Sequence, residues 1–369
     1  MTSVGTAPRE TDPPLAAPST RSVGQSLGLA CHVIGWAIVA ILLLVTFFRL
    51  VAWDDFQVFT MVDAAGLILY LPAWIVGIAA GITRKWFLLG ASLLVVAAQL
   101  AFGLPELTAA TPVPAAAAHA AKFRVFDANV DQANLSMAGY AKEIEAYHPD
   151  LVTLEEASPD DRNQLQRAGA FRDLPHVYEV NAEGSRAFVI ASRYPLGPSS
   201  VSTYYGGFFY GGLPFLVRTS LHLPRLTIPL WVVHTTPPLN PGWQNFNEEL
   251  GQIHRMLTAR RGGPLLMVGD FNATWGNRGF RAILDTGLTD AAAARGEPFD
   301  MTWSQNFFLL PPIVRFDHVL TNSSLAVTTI HALEGPGSDH RALEATVAIL
   351  PPAYPPSGGQ AAATASGRG

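Results

Sequence analysis

Residues 265–272 read LLMVGDFN, an apolar run that delivers Asp270 and Asn272 to its end. Near the end of the folded part, Ser338-Asp339-His340 stands just ahead of another apolar run. Asn129, Glu156, His234 and Asp317 occupy comparable places, each beside an apolar stretch. Carboxylates, amides and imidazoles in this proportion suit one divalent cation next to an attacked phosphate. A hard cation such as Mg2+ takes one or two carboxylates and keeps water for its phosphate substrate, and Mn2+ accepts the same ligands. Glu156 is the natural ligand, with Asn129 beside it. Asp270 can orient or deprotonate an attacking water, and Asn272 can hold water or phosphate through its amide. His234 and His340 can donate hydrogen bonds to phosphate oxygens, where charge stabilisation is the main catalytic contribution. Asp317 can orient His340 as a carboxylate–imidazole pair, and Asp339 can reach the metal or its waters. Arg186, Arg193 and Arg315 are candidate phosphate contacts.

Plainer readings compete with these. An asparagine after a strand is commonly a turn residue, and Asx turns use the residue types of GDFN. Of the adjacent pair Glu155 and Glu156, Glu155 reads as the solvated loop member. His148, His176, His222, His254 and His331 have no comparable context. His318 follows Asp317 directly, so strand alternation sends it to the other face.

The elements that must position these groups mix strands and helices. Alternating or short apolar runs mark strands at 123–130, 151–154, 187–191, 216–223, 227–233, 265–268, 314–320, 326–332 and 342–349. Helical spacing marks 139–147, 245–260 and 279–284. Strands outnumber helices and several are adjacent in sequence, which favours a mixed, largely antiparallel α/β sandwich over a doubly wound sheet. Neither G-x-G-x-x-G nor G-x-x-x-x-G-K-[ST] occurs, so nucleotide-binding folds have no support.

Composition separates the front of the chain from the rest. Hydrophobic residues make up 49% of the 369 and charged residues only 14%, below the usual quarter for soluble domains. The deficit sits in three apolar runs at 27–48, 64–82 and 86–104, each about 30 Å long as a helix and so matched to the bilayer. Arg9 and Arg21 precede the first run, and Arg84 with Lys85 fill the tight loop before the third. The positive-inside rule then puts the N-terminus in the cytoplasm and everything after the third span outside. Residues 1–26 and 351–369 read as disordered and 105–121 as a Pro/Ala-rich linker. One globular domain fills 122–350. The single cysteine, Cys31, allows no disulfide within the chain.

Taken in order, 125–130 with Asn129, 150–156 (DLVTLEE), 192–195 (SRYP), His234-Thr235, 269–272 (GDFN), 315–320 (RFDHVL) and 338–340 (SDH) resemble the endonuclease/exonuclease/phosphatase superfamily, the DNase I-like metal-dependent phosphoesterases. The resemblance spans essentially all of 122–350. It implies a four-layer sandwich of two mixed sheets flanked by helices, with the site at one edge. It also implies Asn129, Glu156 and Asp339 on the metal side, Asp270 and Asn272 around the water, Asp317 with His340 as the acid–imidazole pair, and His234 on the phosphate. Glu155 replaces the usual glutamine, which adds negative charge near the metal, and His318 replaces a more usual aromatic or arginine. The three-span front resembles actinobacterial membrane-anchored members of the superfamily, among them one linked to teicoplanin-type glycopeptide resistance. That implies an outward-facing phosphatase of lipid-linked cell-wall precursors, such as undecaprenyl pyrophosphate.

For the substrate, residues 122–350 hold 18 Lys and Arg against 23 Asp and Glu, a net of −5. Duplex DNA binding draws on a basic footprint, so the balance disfavours a nuclease. The stretches 204–215 (YYGGFFYGGLPF) and 307–314 (FFLLPPIV) fit exposed apolar loops that would meet a bilayer beside the site. The expectation is a membrane-anchored, extracytoplasmic Mg2+-dependent phosphoesterase whose partners are the lipid bilayer and a phosphorylated, lipid-linked substrate. A surface nuclease is the alternative, and a catalytically idle binding or sensor domain is the alternative from another class.

Overall fold

The computed structural model describes residues 23–181, 187–205, 212–239, 242–305 and 311–351. In the soluble part, β1 (Lys122–Asn129), β2 (Leu151–Glu155), β3 (His176–Val180) and β4 (Phe188–Ser192) join the last two strands, β11 (Leu325–Ala332) and β12 (Leu343–Ile349), in one six-stranded sheet. The second sheet holds β5 (Ser200–Tyr204), β6 (Leu213–Leu223), β7 (Leu226–His234), β8 (Leu266–Asp270), β9 (Thr289–Asp290) and β10 (Asp317–Thr321). Their orders are β11-β12-β1-β2-β4-β3 and β5-β6-β7-β8-β10-β9. Each sheet has one parallel pair near its middle, β1–β2 and β7–β8, and every other pairing is antiparallel.

Strand alternation builds the layers. Phe123 and Val125 of β1 face inward, with Leu230 and Val232 of β7 and Leu266 and Val268 of β8, to form the core between the sheets. Phe126 and Ala128 face outward under α1 (Ala138–Tyr147) and α2 (Pro159–Ala168). Met267 and Phe271 face outward under α3 (Trp243–Thr258) and α4 (Arg278–Leu284). Helices, sheet, sheet and helices make four layers, as the resemblance implies. The expected strands and helices all appear with small shifts at their ends. The helix at Pro159–Ala168 was not anticipated, although Ser158 and Asp161 close a capping box at its start. Also unanticipated are β3, β5, β9 and the short helix Ala291–Arg295.

The front of the chain is helical. Two helices, at Val23–Val51 and Trp86–Leu107, are long and apolar enough to cross a membrane. The second apolar run is broken: Gly66–Leu69 and Leu71–Ile82 continue it, and they bend by 79° from the preceding helix Gln57–Ala64. A third span exists if that bent pair is counted as one. The 105–121 stretch is tied to the soluble domain. Thr111 N donates to Ala294 O at 3.1 Å, and Ala117 is fully buried.

Gly269 shows how tightly β7 and β8 approach. Its φ is +123°, and a Cβ there would lie 2.1 Å from Val233 O, a backbone atom that cannot move aside. Gly269→Ala should therefore cost about 1–3 kcal/mol through backbone strain and overpacking, read as a lowered midpoint in chemical denaturation.

Candidate active site

The parallel pairs decide where the polar groups gather. Asn129 ends β1, Glu155 ends β2, His234 ends β7 and Asp270 ends β8, all at the C-terminal edges of their strands. The antiparallel neighbour β10 begins at that same edge with Asp317, directly opposite Asp270 in register. His234 is opposite Asp270 on the other side. In each of these strands, alternation continues the inward-facing apolar series and puts its last member between the sheets. His340 enters from the turn before β12 and is bridged to Trp303.

Two positions leave regular strand geometry. Glu156 and Asn272 both have left-handed backbones, with φ of 58° and 46°. Such backbones are uncommon outside glycine and concentrate where structure serves function. At Glu156 the turn breaks the alternation that would point it away from Glu155, and its Oε1 accepts from Asn129 Nδ2 at 3.1 Å. At Asn272 the turn closes an Asx-type loop: its backbone N donates to Asp270 Oδ1 at 2.7 Å, and its Nδ2 to Asp270 Oδ2 at 3.1 Å.

Asp270 is the hub. Its Oδ2 accepts from both Asn129 Nδ2 and Asn272 Nδ2, each at 3.1 Å, and lies 3.7 Å from both His340 Nε2 and His234 Nε2. His234 Nε2 is also 3.5 Å from Glu156 Oε1. His340 Nδ1 and Asp317 Oδ2 are 2.9 Å apart. Asp339 Oδ1 lies 3.9 Å from His340 Nε2. The structure thus brings together Asn129, Glu156, His234, Asp270, Asn272, Asp317, Asp339 and His340.

The three arginines fare differently. Arg186 lies outside the described residues. Arg193 is paired with Asp150 at 2.6 Å, at the N-terminal end of β2 and so at the opposite edge from Glu156. Arg315 is buried, its Nε donating to Asp300 O at 3.1 Å and its Nη1 3.6 Å from Asp290. Among the described residues neither arginine faces the cluster, because each is held by local carbonyls or carboxylates. Of the two apolar loops, 206–211 and 306–310 lie outside the described residues.

Glu155 corrects its reading as a solvated residue. The pleat turns it inward with Leu151 and Thr153, and it is fully buried. Asp127, two residues before Asn129 on the same inward face, was not singled out, although period-two register with Asn129 pointed to it. It is bonded to Thr153 Oγ1. Burial pushes both carboxyls well above the usual range and so toward the protonated form. Glu155 therefore does not bring the full negative charge expected of its glutamine-to-glutamate departure.

Burial also raises Glu156, and raises Asp270 to about 7 against the opposing pull of the His340 charge. For His340 burial acts the other way. It is outweighed by Asp317 and Asp270, which raise the imidazole to about 10 and keep it an imidazolium. One cation thus faces several crowded carboxyls. This oxygen-rich donor set fits a hard divalent ion. Asp270 and Asp317 lie close enough together to share a cation, and Asp317 Oδ1 is buried with no hydrogen-bond partner.

The sequence profile of the Endonuclease/Exonuclease/phosphatase family matches residues 124–340. The chain belongs to that family. Its members are hydrolytic phosphatases and nucleases that depend on divalent metal. Solved structures share the fold. A truncated Caenorhabditis elegans TDP2 is 17% identical, with a TM-score of 0.50, covering 62% of this chain and 98% of its own. A humanized D. rerio TDP2 is 16% identical, with a TM-score of 0.51, covering 61% and 98%. A family protein from Bacteroides thetaiotaomicron is 14% identical, with a TM-score of 0.50, covering 63% and 99%. No curated protein matches the chain.

The raised Asp270 has a consequence for stability. Its folded pKa of about 7 exceeds the ordinary 3.8, so the folded state holds a proton that the unfolded state releases. Stability from this group is full below pH 4 and is lost as pH rises toward 7. In chelator, melting temperatures taken from pH 4 to 6.5 should fall more steeply for the native chain than for Asp270→Asn. Millimolar Mg2+ or Mn2+ should offset the fall.

Proposed function

We propose that this family member is a membrane-anchored phosphoesterase that hydrolyses lipid-linked phosphate or pyrophosphate on the outer side of the cytoplasmic membrane. The observation that carries this reading is the contact between the membrane-side loop and the rim of the site. Trp53 Nε1 donates to Gly276 O at 2.7 Å, Thr274 Oγ1 to Ala64 O at 3.0 Å, and Asn277 Nδ2 to Thr60 O at 2.9 Å. Arg278 N donates to Asp54 Oδ2 at 2.6 Å, and Trp243 Nε1 to Thr60 Oγ1 at 3.1 Å. Residues 274–278 follow Asp270 and Asn272, and Trp243 opens the helix after His234. These rim residues therefore leave the same edge as the catalytic groups, and that edge is turned toward the apolar helices. A phosphate carried on a lipid meets this edge without leaving the bilayer.

The same contact bears on orientation. The loop between the first two spans and the soluble domain touch each other, so they share one side of the membrane. With three spans this leaves the N-terminus and the Arg84-Lys85 loop together on the other side, in agreement with the positive-inside rule. The arm Gln57–Ala64 then lies on the membrane surface rather than within it.

Chemically, Asp270 takes the proton of an attacking water that Asn272 holds in line. His340, kept charged by Asp317, and His234 donate to the phosphoryl oxygens as negative charge builds there. Glu156, with Asn129 and Asp339, would hold a divalent cation of the Mg2+ type. The cation supplies charge neutralisation on the phosphoryl group. The acidic balance of residues 122–350 supports a lipid over a polynucleotide, and a nuclease is the second reading. A role in glycopeptide resistance would follow if lipid-linked cell-wall precursors are the natural substrates.

The test measures divalent-metal-dependent phosphate release from undecaprenyl pyrophosphate by the full chain, beside nicking of plasmid DNA. Release that falls about 10²–10⁴-fold in Asp270→Asn and vanishes in Glu156→Ala, with DNA intact, is the expected result. DNA nicking without lipid turnover would reject the substrate and leave the site standing. Gly276→Ala probes the docking. A Cβ there would lie within 2 Å of Asp63 O, and the variant should lose turnover of the bilayer substrate more than of a short soluble phosphate ester.

A further inference from the structure

Trp303 lies between the membrane-side loop and the catalytic carboxylates. Its backbone bridges Val314 on one side and His340 on the other. Its indole Nε1 donates to Asp339 Oδ2 at 2.9 Å. The other oxygen of Asp339 is the one that faces His340 Nε2, at 3.9 Å. Asp339 is the most exposed carboxylate of the cluster, its side chain 45% accessible. Without a fixed partner it would sample several rotamers, and each ligand that must be ordered on binding weakens a cation site.

The ring itself is held from the membrane side. Ala64 and Ala65, at the bend between Gln57–Ala64 and Gly66–Leu69, form one apolar cluster with Trp303, Val314 and Phe316. The Trp303 and Phe316 rings lie 5.4 Å apart. Phe316 immediately precedes Asp317, and the neighbouring Thr302 Oγ1 accepts from the backbone N of both, at 3.1 and 3.2 Å. One patch of contacts therefore joins the membrane-side loop to the two acids that flank His340.

We propose that Trp303 is a positioning residue that orients Asp339 through its indole N–H, and that Ala64 and Ala65 of the membrane-side loop hold Trp303 in place. The proposal rests on reading Asp339 as a metal-side carboxylate, and it does not depend on which phosphate ester is cleaved. Docking of the membrane-side loop then contributes directly to cation affinity, as outer-shell partners of metal ligands do.

The experiment reads Mn2+ binding to the full chain in lipid nanodiscs by electron paramagnetic resonance, with no substrate present. Trp303→Phe keeps an aromatic ring against Phe316 and removes only the N–H donor. It should weaken Mn2+ binding by about 10–100-fold with the melting temperature little changed, and saturating Mn2+ should restore kcat to within about twofold. Ala64→Gly removes the methyl that Ala64 contributes to this cluster and adds no bulk. It should shift Mn2+ affinity in the same direction by a smaller factor. Unchanged Mn2+ affinity in Trp303→Phe would overturn the role of the indole. Weakened binding in Trp303→Phe with none in Ala64→Gly would overturn the role of the membrane-side loop. Since binding is read without substrate, failure of the lipid reading would leave this result intact.

Discussion

The arrangement depends on crowding several carboxyls into the space between two sheets. Asp127, Glu155, Asp270 and Asp317 are nearly or fully buried there, and Glu156 stands just above them. Buried carboxylates repel one another and lack solvation, so each needs a proton, a hydrogen bond or a counter-charge. For Asp127 and Glu155, burial shifts both carboxyls toward the protonated form. Asp270 meets it with two amide donors and a backbone N–H. Asp317 meets it with the His340 imidazolium. Such a set is suited to a divalent cation, because a cation would relieve that repulsion.

That electrostatic constraint is met by hydrogen bonds that tie the surrounding turns to the strand ends. Ser338 Oγ donates to Asn129 O at 2.8 Å and accepts from His340 N at 3.0 Å, tying the histidine turn to the end of β1. Asn272 Nδ2 reaches Thr235 O at 2.9 Å, tying the GDFN turn to the end of β7. Between the sheets, Asn129 Nδ2 donates to Asp270 Oδ2 and His340 Nδ1 pairs with Asp317 Oδ2, so the groups keep their spacing without relying on one loop. Precise placement of this kind is what general acid–base and electrostatic catalysis require.

The apolar N-terminal helices pack into the same arrangement. Arg49 near the end of the first of them is buried against Asp63 at 2.8 Å, with its guanidinium over the Phe102 ring at 4.6 Å. This pairing fixes the bend from which the Gln57–Ala64 arm meets the soluble domain. A domain on a loose tether would sample many orientations. Here a short arm with several buried hydrogen bonds gives the edge that carries the candidate site one orientation relative to the apolar helices.

Much of this was legible in the sequence. Period-two runs ending in Asn129, Asp270 and His234 announced strands with polar groups at one end, and the long apolar runs announced helices of bilayer length. The order of short motifs carried the family. Asp127 was legible too, by register with Asn129, and so was the helix behind Ser158, by its cap. Other features had no local signal. That Glu155 is buried follows from the opposing sheet, which no stretch of five residues encodes. Arg315 resembled a phosphate contact because it is two residues from Asp317, but its guanidinium is drawn away to the carbonyls of Glu297 and Asp300 and to the Asp290 carboxylate. Trp303 reaches Asp339 across 36 positions of chain. The sequence by itself determined which groups exist and at which strand ends they stand, because alternation and hydrophobic length are local properties. The tertiary structure alone decided which carboxyls are pushed toward the protonated form, which arginines are occupied and which edge turns toward the apolar helices. Those outcomes depend on solvent exclusion and on partners brought together only when the sheets close.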